Sequence, residues 1–175
     1  MKVARVLLYV LLGLLAATLL GAQLGLLAGR QPVDLGVSNG RLKPPSPTPN
    51  SVSSQAVLYP SHSQRAYAAI DPLPLKSSGA TASLQVLTKV LQSLPGMTVV
   101  EQKPDYVYAQ SRSRWLKFVD DMEFWVNADN GMIEVRSASR LGRKDFGVNR
   151  QRVESKVIGP PAPQIVPKKH LALAG

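Results

Sequence analysis

The chain has no cysteine. That excludes disulfides, thiolate metal sites and a cysteine nucleophile. Histidine is nearly as scarce, with His62 and His170 the only imidazoles. Both lie in Pro/Ser-rich or tail-like surroundings and read as surface residues, so no metal site is expected. Aromatics make up 6% of the 175 residues. No motif of an RNA- or DNA-binding fold is present, so nucleic acid is not an expected partner. No cofactor motif is present either. Acidic residues are outnumbered, 11 Asp and Glu against 21 Lys and Arg, for a net charge of +10. That excess favours anionic partners: phosphate, carboxylate or anionic lipid.

The first long feature present is apolar. Residues 6–28 carry no charge, and Gln23 is their only strongly polar side chain. As a helix this stretch spans roughly 34 Å, enough for a hydrocarbon core of about 30 Å. A cleaved signal peptide is the alternative. The run exceeds a usual signal core and lacks a small-x-small cleavage site before Arg30, so an uncleaved anchor over residues 1–30 is expected. Lys2 and Arg5 precede it, which favours a cytoplasmic N-terminus and a domain outside the cytoplasm, in the periplasm of a Gram-negative source. Gly21, Gly25 and Gly29 form a small-residue face of the kind that packs against another membrane helix. Residues 31–63 follow, with Pro44, Pro45, Pro47 and Pro49 among Ser, Thr and Asn. This composition reads as a linker. Residues 64–159 read as one domain, and residues 160–175 as a disordered tail.

Within the domain, residues 66–71 read as a strand stopped by Pro72 and Pro74. A helix capped near Thr81 carries Leu84, Leu87, Val90, Leu91 and Leu94 at helical spacing, and Pro95-Gly96 ends it. Residues 97–102 and 106–113 read as strands around the turn Lys103-Pro104-Asp105. Residues 118–127 and 132–139 alternate apolar and polar side chains around Asn130-Gly131, the mark of a hairpin with a type I′ turn. In that register Asp129 faces Met132, Val126 faces Val135 and Trp125 faces Arg136. A second helix starts near Val148, with Val153 and Val157 four apart. Short turns between strands make an antiparallel sheet of about four to five strands. Two helices on its apolar face give an α+β two-layer sandwich, preceded by one transmembrane helix.

The hairpin also carries the chemistry. Phe118, Met122, Phe124 and Val126 share one face; Asp121, Glu123, Trp125, Glu134 and Arg136 share the other. A solvated, ion-paired sheet surface is the ordinary reading of the charged face. A polar site walled by Trp125 is the alternative. Asp120 falls on the apolar side, where a carboxylate needs a partner; Arg140 and Arg143, with Ser137 and Ser139, are the nearest candidates. Asp120, Asp121 and Glu123 are also the candidates for acid–base catalysis or for oxygen ligation of Mg²⁺ or Ca²⁺. Against an enzyme stands the absence of a nucleophile–base pair.

Arg136, Arg140, Arg143, Lys144, Arg150 and Arg152 cluster in sequence. Guanidinium groups bind carboxylate and phosphate in bidentate fashion. Ser137, Ser139 and Asn149 add polar groups, and a helix start nearby offers free N–H groups. One reading is an anion site made of Arg136, Ser137, Ser139, Arg140, Arg143, Asn149 and Arg150. The other is that these arginines clamp Asp120, Asp121, Glu123, Glu134 and Asp145 and hold the loop against the sheet.

The run from Phe118-Val119-Asp120-Asp121-Met122-Glu123-Phe124 through Arg136-Ser137-Ala138-Ser139-Arg140-Leu141-Gly142 to Gly147-Val148-Asn149-Arg150 resembles the domain of unknown function 1499 family. The upstream Pro49-Asn50-Ser51-Val52-Ser53-Ser54-Gln55 is similar to that family's opening motif. The resemblance covers roughly residues 35–156. It implies a small domain, often exported or membrane-attached, and no established activity. It also implies departures. A cysteine pair typical of the family is replaced here, with Ser51 at one position and Pro45 or Ser46 near the other. Tyr108 and Gln110 stand where the family often has His and Glu.

Three readings follow. The first is a membrane-anchored module, held in the bilayer through residues 6–28, that binds an anionic small molecule or lipid headgroup through arginines. The second is a hydrolase-type enzyme using Asp120, Asp121 and Glu123. The third is a scaffold for a membrane-protein partner.

Overall fold

The computed structural model describes residues 2–157. The expected tail over residues 160–175 lies outside them. The chain opens with helix α1 (Lys2–Gln23), followed by strand β1 (Ser51–Ser53), a 3₁₀ turn (Ala56–Leu58) and the short helix α2 (Arg65–Ala68). Strand β2 (Leu73–Pro74), helix α3 (Ala80–Ser93) and strands β3 (Met97–Gln102), β4 (Tyr106–Arg112), β5 (Val119–Asn127) and β6 (Met132–Ser139) come next. Helix α4 (Val148–Gln151) runs on into a π-helical turn (Arg152–Val157). The strands form a 6-stranded sheet in the order β1-β6-β5-β4-β3, with β2 pairing along β6 beside β1. The pairs are antiparallel throughout. This is the α+β sheet-and-helix fold that the alternation pattern implies.

Period-two alternation sorts β4, β5 and β6 cleanly. Val107, Ala109, Met122, Phe124, Val126, Ile133 and Val135 face one side and are buried, meeting Leu84, Leu87 and Leu91 of α3 and Val153 of the π turn. Burial of such side chains stabilises by roughly 1.5–3 kcal/mol each. Helix α3 starts one residue earlier than Thr81, after Gly79 at φ 93, and no side chain caps it.

The hairpin register differs from the type I′ expectation. Asn127, not Asp129, faces Met132, and Glu123 faces Arg136. Residues 128–131 form a longer turn closed by the Gly131 N–H on the Asn127 carbonyl (3.0 Å), with Gly131 at φ 66. Asn130 does not take a positive φ; its side-chain oxygen accepts the Met132 N–H (3.0 Å) and its amide donates to Glu134 (2.8 Å). The slip is of two residues, so each side chain keeps its face.

Two further expectations are corrected. Residues 66–71 do not make a strand: Arg65–Ala68 is a helical turn, and Leu73–Pro74 pairs instead. Proline is tolerated there because β2 is short and lies at the sheet's margin. Residues 31–63, read as linker, build part of the fold. Ser51–Ser53 pairs with Arg136–Ala138. Residues 34–50 form a strap across the other sheet face, where Leu42 is 1% exposed and packs with Tyr106 and Tyr108. Proline-rich chain stays extended and can bury side chains against a sheet that is already formed, although it builds no core of its own.

Gly96, at φ 75, links α3 to β3 and packs on the Arg112 carbonyl so closely that a Cβ would overlap it. We expect Gly96→Ala to cost at least about 1–3 kcal/mol from backbone strain alone. Urea unfolding of the detergent-solubilised protein, followed by tryptophan emission, checks this.

Candidate functional site

The charged sheet face is not solvated. Asp121 is 1% exposed, Glu123 0%, Glu134 5% and Arg136 4%. The strap lies on this face and bonds to two of them, Glu123 and Arg136. The Gly36 N–H donates to Glu123 Oε1 (2.7 Å), and Arg136 Nε donates to the Pro44 carbonyl (3.3 Å). Across the hairpin, Arg136 Nη1 reaches Glu123 Oε2 at 3.4 Å. Arg140 holds Asp121 with two bonds, Nε to Oδ2 (2.8 Å) and Nη2 to Oδ1 (2.7 Å), and Nη2 also donates to the Tyr108 hydroxyl (3.2 Å). Ser54 Oγ donates to Glu134 Oε2 (2.5 Å).

These contacts set the local acidities. Burial pulls the Arg136 guanidinium below its usual value, against the pull of Glu123. The Asp121 hydrogen bond raises Arg140 above its own. Burial, then the Glu123 charge and hydrogen bond, push Tyr106 far above its ordinary value. Burial and the Asp121 hydrogen bond raise Tyr108 likewise. Tyr108 and Gln110 hydrogen-bond each other (2.7 Å). Ser46 and Ser51, near the positions where the resemblance implies a cysteine pair, lie side by side, with the Ser46 N–H on Ser51 Oγ (2.8 Å).

The arginine run is split between the two faces. Arg136 lies under the strap and Arg140 on the same face, whereas Arg150 and Arg152 lie on the helix side. Arg152 supplies the partner that Asp120 requires (Nη2 to Oδ2, 2.5 Å), in place of the Arg140 or Arg143 expected from sequence. It also donates to Asn149 Oδ1 (2.9 Å) and Ser137 Oγ (3.4 Å). Arg150 pairs with Glu154 (2.8 Å) and donates to the carbonyls of Tyr67 (2.6 Å) and Ala69 (2.9 Å). The free N–H groups at the start of α4 do not await a ligand. Asp145 accepts from Gly147 N (3.1 Å), Asn149 N (3.1 Å), Asn149 Nδ2 (2.9 Å) and the Tyr67 hydroxyl. Arg136, Arg140 and Arg150 therefore do not converge on an open pocket. Arg143 is exposed, and Ser137, Ser139 and Asn149 form the bonded floor between sheet and helix.

An open site exists one step away. A cleft of about 630 Å³ lies at the end of the sheet, between β4, β5, the 140–147 loop and the last helical turn. Asp120 and Arg152 line its depth, with Ser111 and Ser139 beside them. Arg112, Lys144 and Lys156 stand around it and make no salt bridge among the described residues. Phe118, Leu141, Phe146 and Val148 line it with exposed apolar surface. Of the three acid–base candidates, Asp120 lines this cleft; Asp121 and Glu123 are enclosed. Sequence reasoning missed Arg112, Lys156 and the apolar lining, since residues 112, 118, 141 and 156 meet only once the chain is folded.

The clamps yield measurable expectations. Asp121→Asn leaves the buried Arg140 charge uncompensated and is expected to cost about 3–5 kcal/mol, much of it recovered by adding Arg140→Met. Denaturant unfolding of both variants checks this. For Asp145, burial raises the carboxyl pKa, but its hydrogen bonds outweigh burial and hold it below the ordinary 3.8. A depressed folded value adds stability that is complete above the unfolded value of about 3.9 and is lost as pH falls through the lower folded value. Asp145→Asn is expected to flatten that acid limb of the stability–pH curve.

Comparison with known proteins agrees with these motifs. No curated protein and no solved structure is significantly similar to the chain. One family model matches residues 41–157, from the strap to the end of the π turn, under the description "Protein of unknown function (DUF1499)". The chain belongs to that family, and the match takes in the sheet, both of its covers and the cleft.

Proposed function

We propose that this protein is a membrane-anchored binding module whose cleft takes an amphiphile with an anionic head. The observation that carries the reading is the make-up of the cleft: Arg112, Lys144 and Lys156, which have no ion-pair partner among the described residues, beside the apolar Phe118, Leu141, Phe146 and Val148. Unpaired cations with water-accessible ammonium or guanidinium groups attract phosphate or carboxylate, and the apolar lining suits a hydrocarbon tail. This moves the anion site away from Arg136, Arg140 and Arg150, which the notable internal bonds occupy. Helix α1 supports the anchor: it is 22 residues long, with a mean hydropathy of 2.3 over its most apolar window, and that window is unburied. The charges of Lys2 and Arg5 support a domain outside the cytoplasm, on the periplasmic side in a Gram-negative source.

A second reading, a scaffold in a membrane complex, draws support from the same internal clamps. They are what a rigid spacer needs and what a ligand site does not. Binding separates the two. Thermal unfolding of the full chain in neutral detergent is measured with inorganic phosphate, glycerol phosphate and a short-chain alkyl phosphate. At a free ligand concentration of about 100 times Kd the midpoint rises by several degrees, equivalent to about 2.7 kcal/mol. We expect the alkyl phosphate to give that rise and Arg112→Glu with Lys144→Glu to abolish it. No rise with any of the three leaves the scaffold reading.

A further inference from the structure

We infer that the loop end of the domain, beside the last turn of α1, rests on the surface of an anionic membrane. The inference depends on α1 being a membrane span. A helix of 22 residues is about 33 Å long, against a hydrocarbon core of about 30 Å, so its end lies at the level of the lipid headgroups. That end is in contact with the domain. Gln23 Nε2 donates to the Trp115 carbonyl (3.0 Å), and Gly29 sits against Arg140 and Leu141. The contact brings residues 113–118 and 140–147, the loops closing that end of the sheet, to headgroup height.

These loops have the chemistry of such a surface. Trp115 is 66% exposed, Phe146 92% and Leu141 42%. Phe146 is held at φ 53, a conformation unfavourable for a bulky residue, and in it the ring stands clear of the domain. Arg114 stacks on the Trp115 ring at 5.1 Å, and Arg114, Arg143 and Lys144 are exposed. The single acid within these two loops, Asp145, is buried and hydrogen-bonded. A face of aromatic and basic side chains without an outward acid matches the interfacial belt of a membrane protein over anionic lipid. An aqueous partner of neutral charge gives no reason for this pairing of residue types.

The experiment uses the full chain in nanodiscs whose acyl chains carry bromine just below the headgroups. Trp125 lies on the strap side and is replaced by Phe, leaving Trp115 as one reporter. A second reporter, Phe146→Trp, is made in a chain that also carries Trp115→Phe and Trp125→Phe. Both are expected to shift to the blue and lose most of their emission, more so in discs containing phosphatidylglycerol than in phosphatidylcholine alone. Arg114→Glu with Lys144→Glu is expected to remove that lipid preference. Protein that incorporates into discs while either reporter stays unquenched, or is quenched without regard to lipid charge, overturns the docking and leaves the span intact. Protein that fails to incorporate overturns the span and the docking with it.

Discussion

The buried ion pairs of the β5–β6 hairpin constrain everything around them. Glu123–Arg136 and Asp121–Arg140 sit side by side on one sheet face, with side chains 7% exposed or less. A charge in such a place must have both its counter-ion and its remaining hydrogen bonds satisfied. The hairpin supplies the first requirement by placing Glu123 opposite Arg136. Tyr106 and Tyr108 of β4, together with the strap's Gly36 N–H and Pro44 carbonyl, supply the second. The sheet is therefore covered on both faces, by helices over the apolar side and by irregular chain over the charged side. The strap is not optional packing: without it the charged row would take up water and lose its fixed geometry.

The sheet was legible in sequence because period two is a strong local signal. Every side chain from Val119 to Asn127 lies on the face that alternation gives it. The register was not legible, since Asn-Gly is compatible with more than one turn length and a slip of two residues leaves the faces unchanged. The strap was hidden by its composition. Prolines and serines mark chain without a core of its own, yet Leu42 needs only a neighbouring sheet to be buried. The arginine run misled for a related reason. Arg136 and Arg150 are near in sequence, but β6 and α4 carry them to opposite sides of a sheet. Asp120 on the apolar side calls for a partner in sequence; Arg152 meets it rather than the nearer Arg140 or Arg143, because helical chain brings residue 152 back over the strand end.

The polar floor between sheet and last helix separates two environments. Below it lie Met122, Phe124 and Val153, fully enclosed. Above it lies the cleft, open to solvent at the loop end. Asp120, Ser137, Asn149 and Arg152 bond to one another across this boundary. Their mutual bonds allow a polar layer to cap an apolar core while the space beyond stays unfilled. The same loops that edge the cleft meet the end of α1, so cleft and helix share one end of the domain.

The strap also reverses the order in which the chain is made and completed. Residues 34–50 leave the ribosome before any of β3 to β6 exists, yet their partners lie far ahead: Pro44 waits for Arg136 across 92 positions, and Gly36 for Glu123 across 87. Contacts of such separation form late and slowly. A segment made ahead of the sheet is thus among the last of the described residues to settle. In the interval, the nascent hairpin carries its charged row bare, and the segment next to the helix remains accessible to chaperones and proteases.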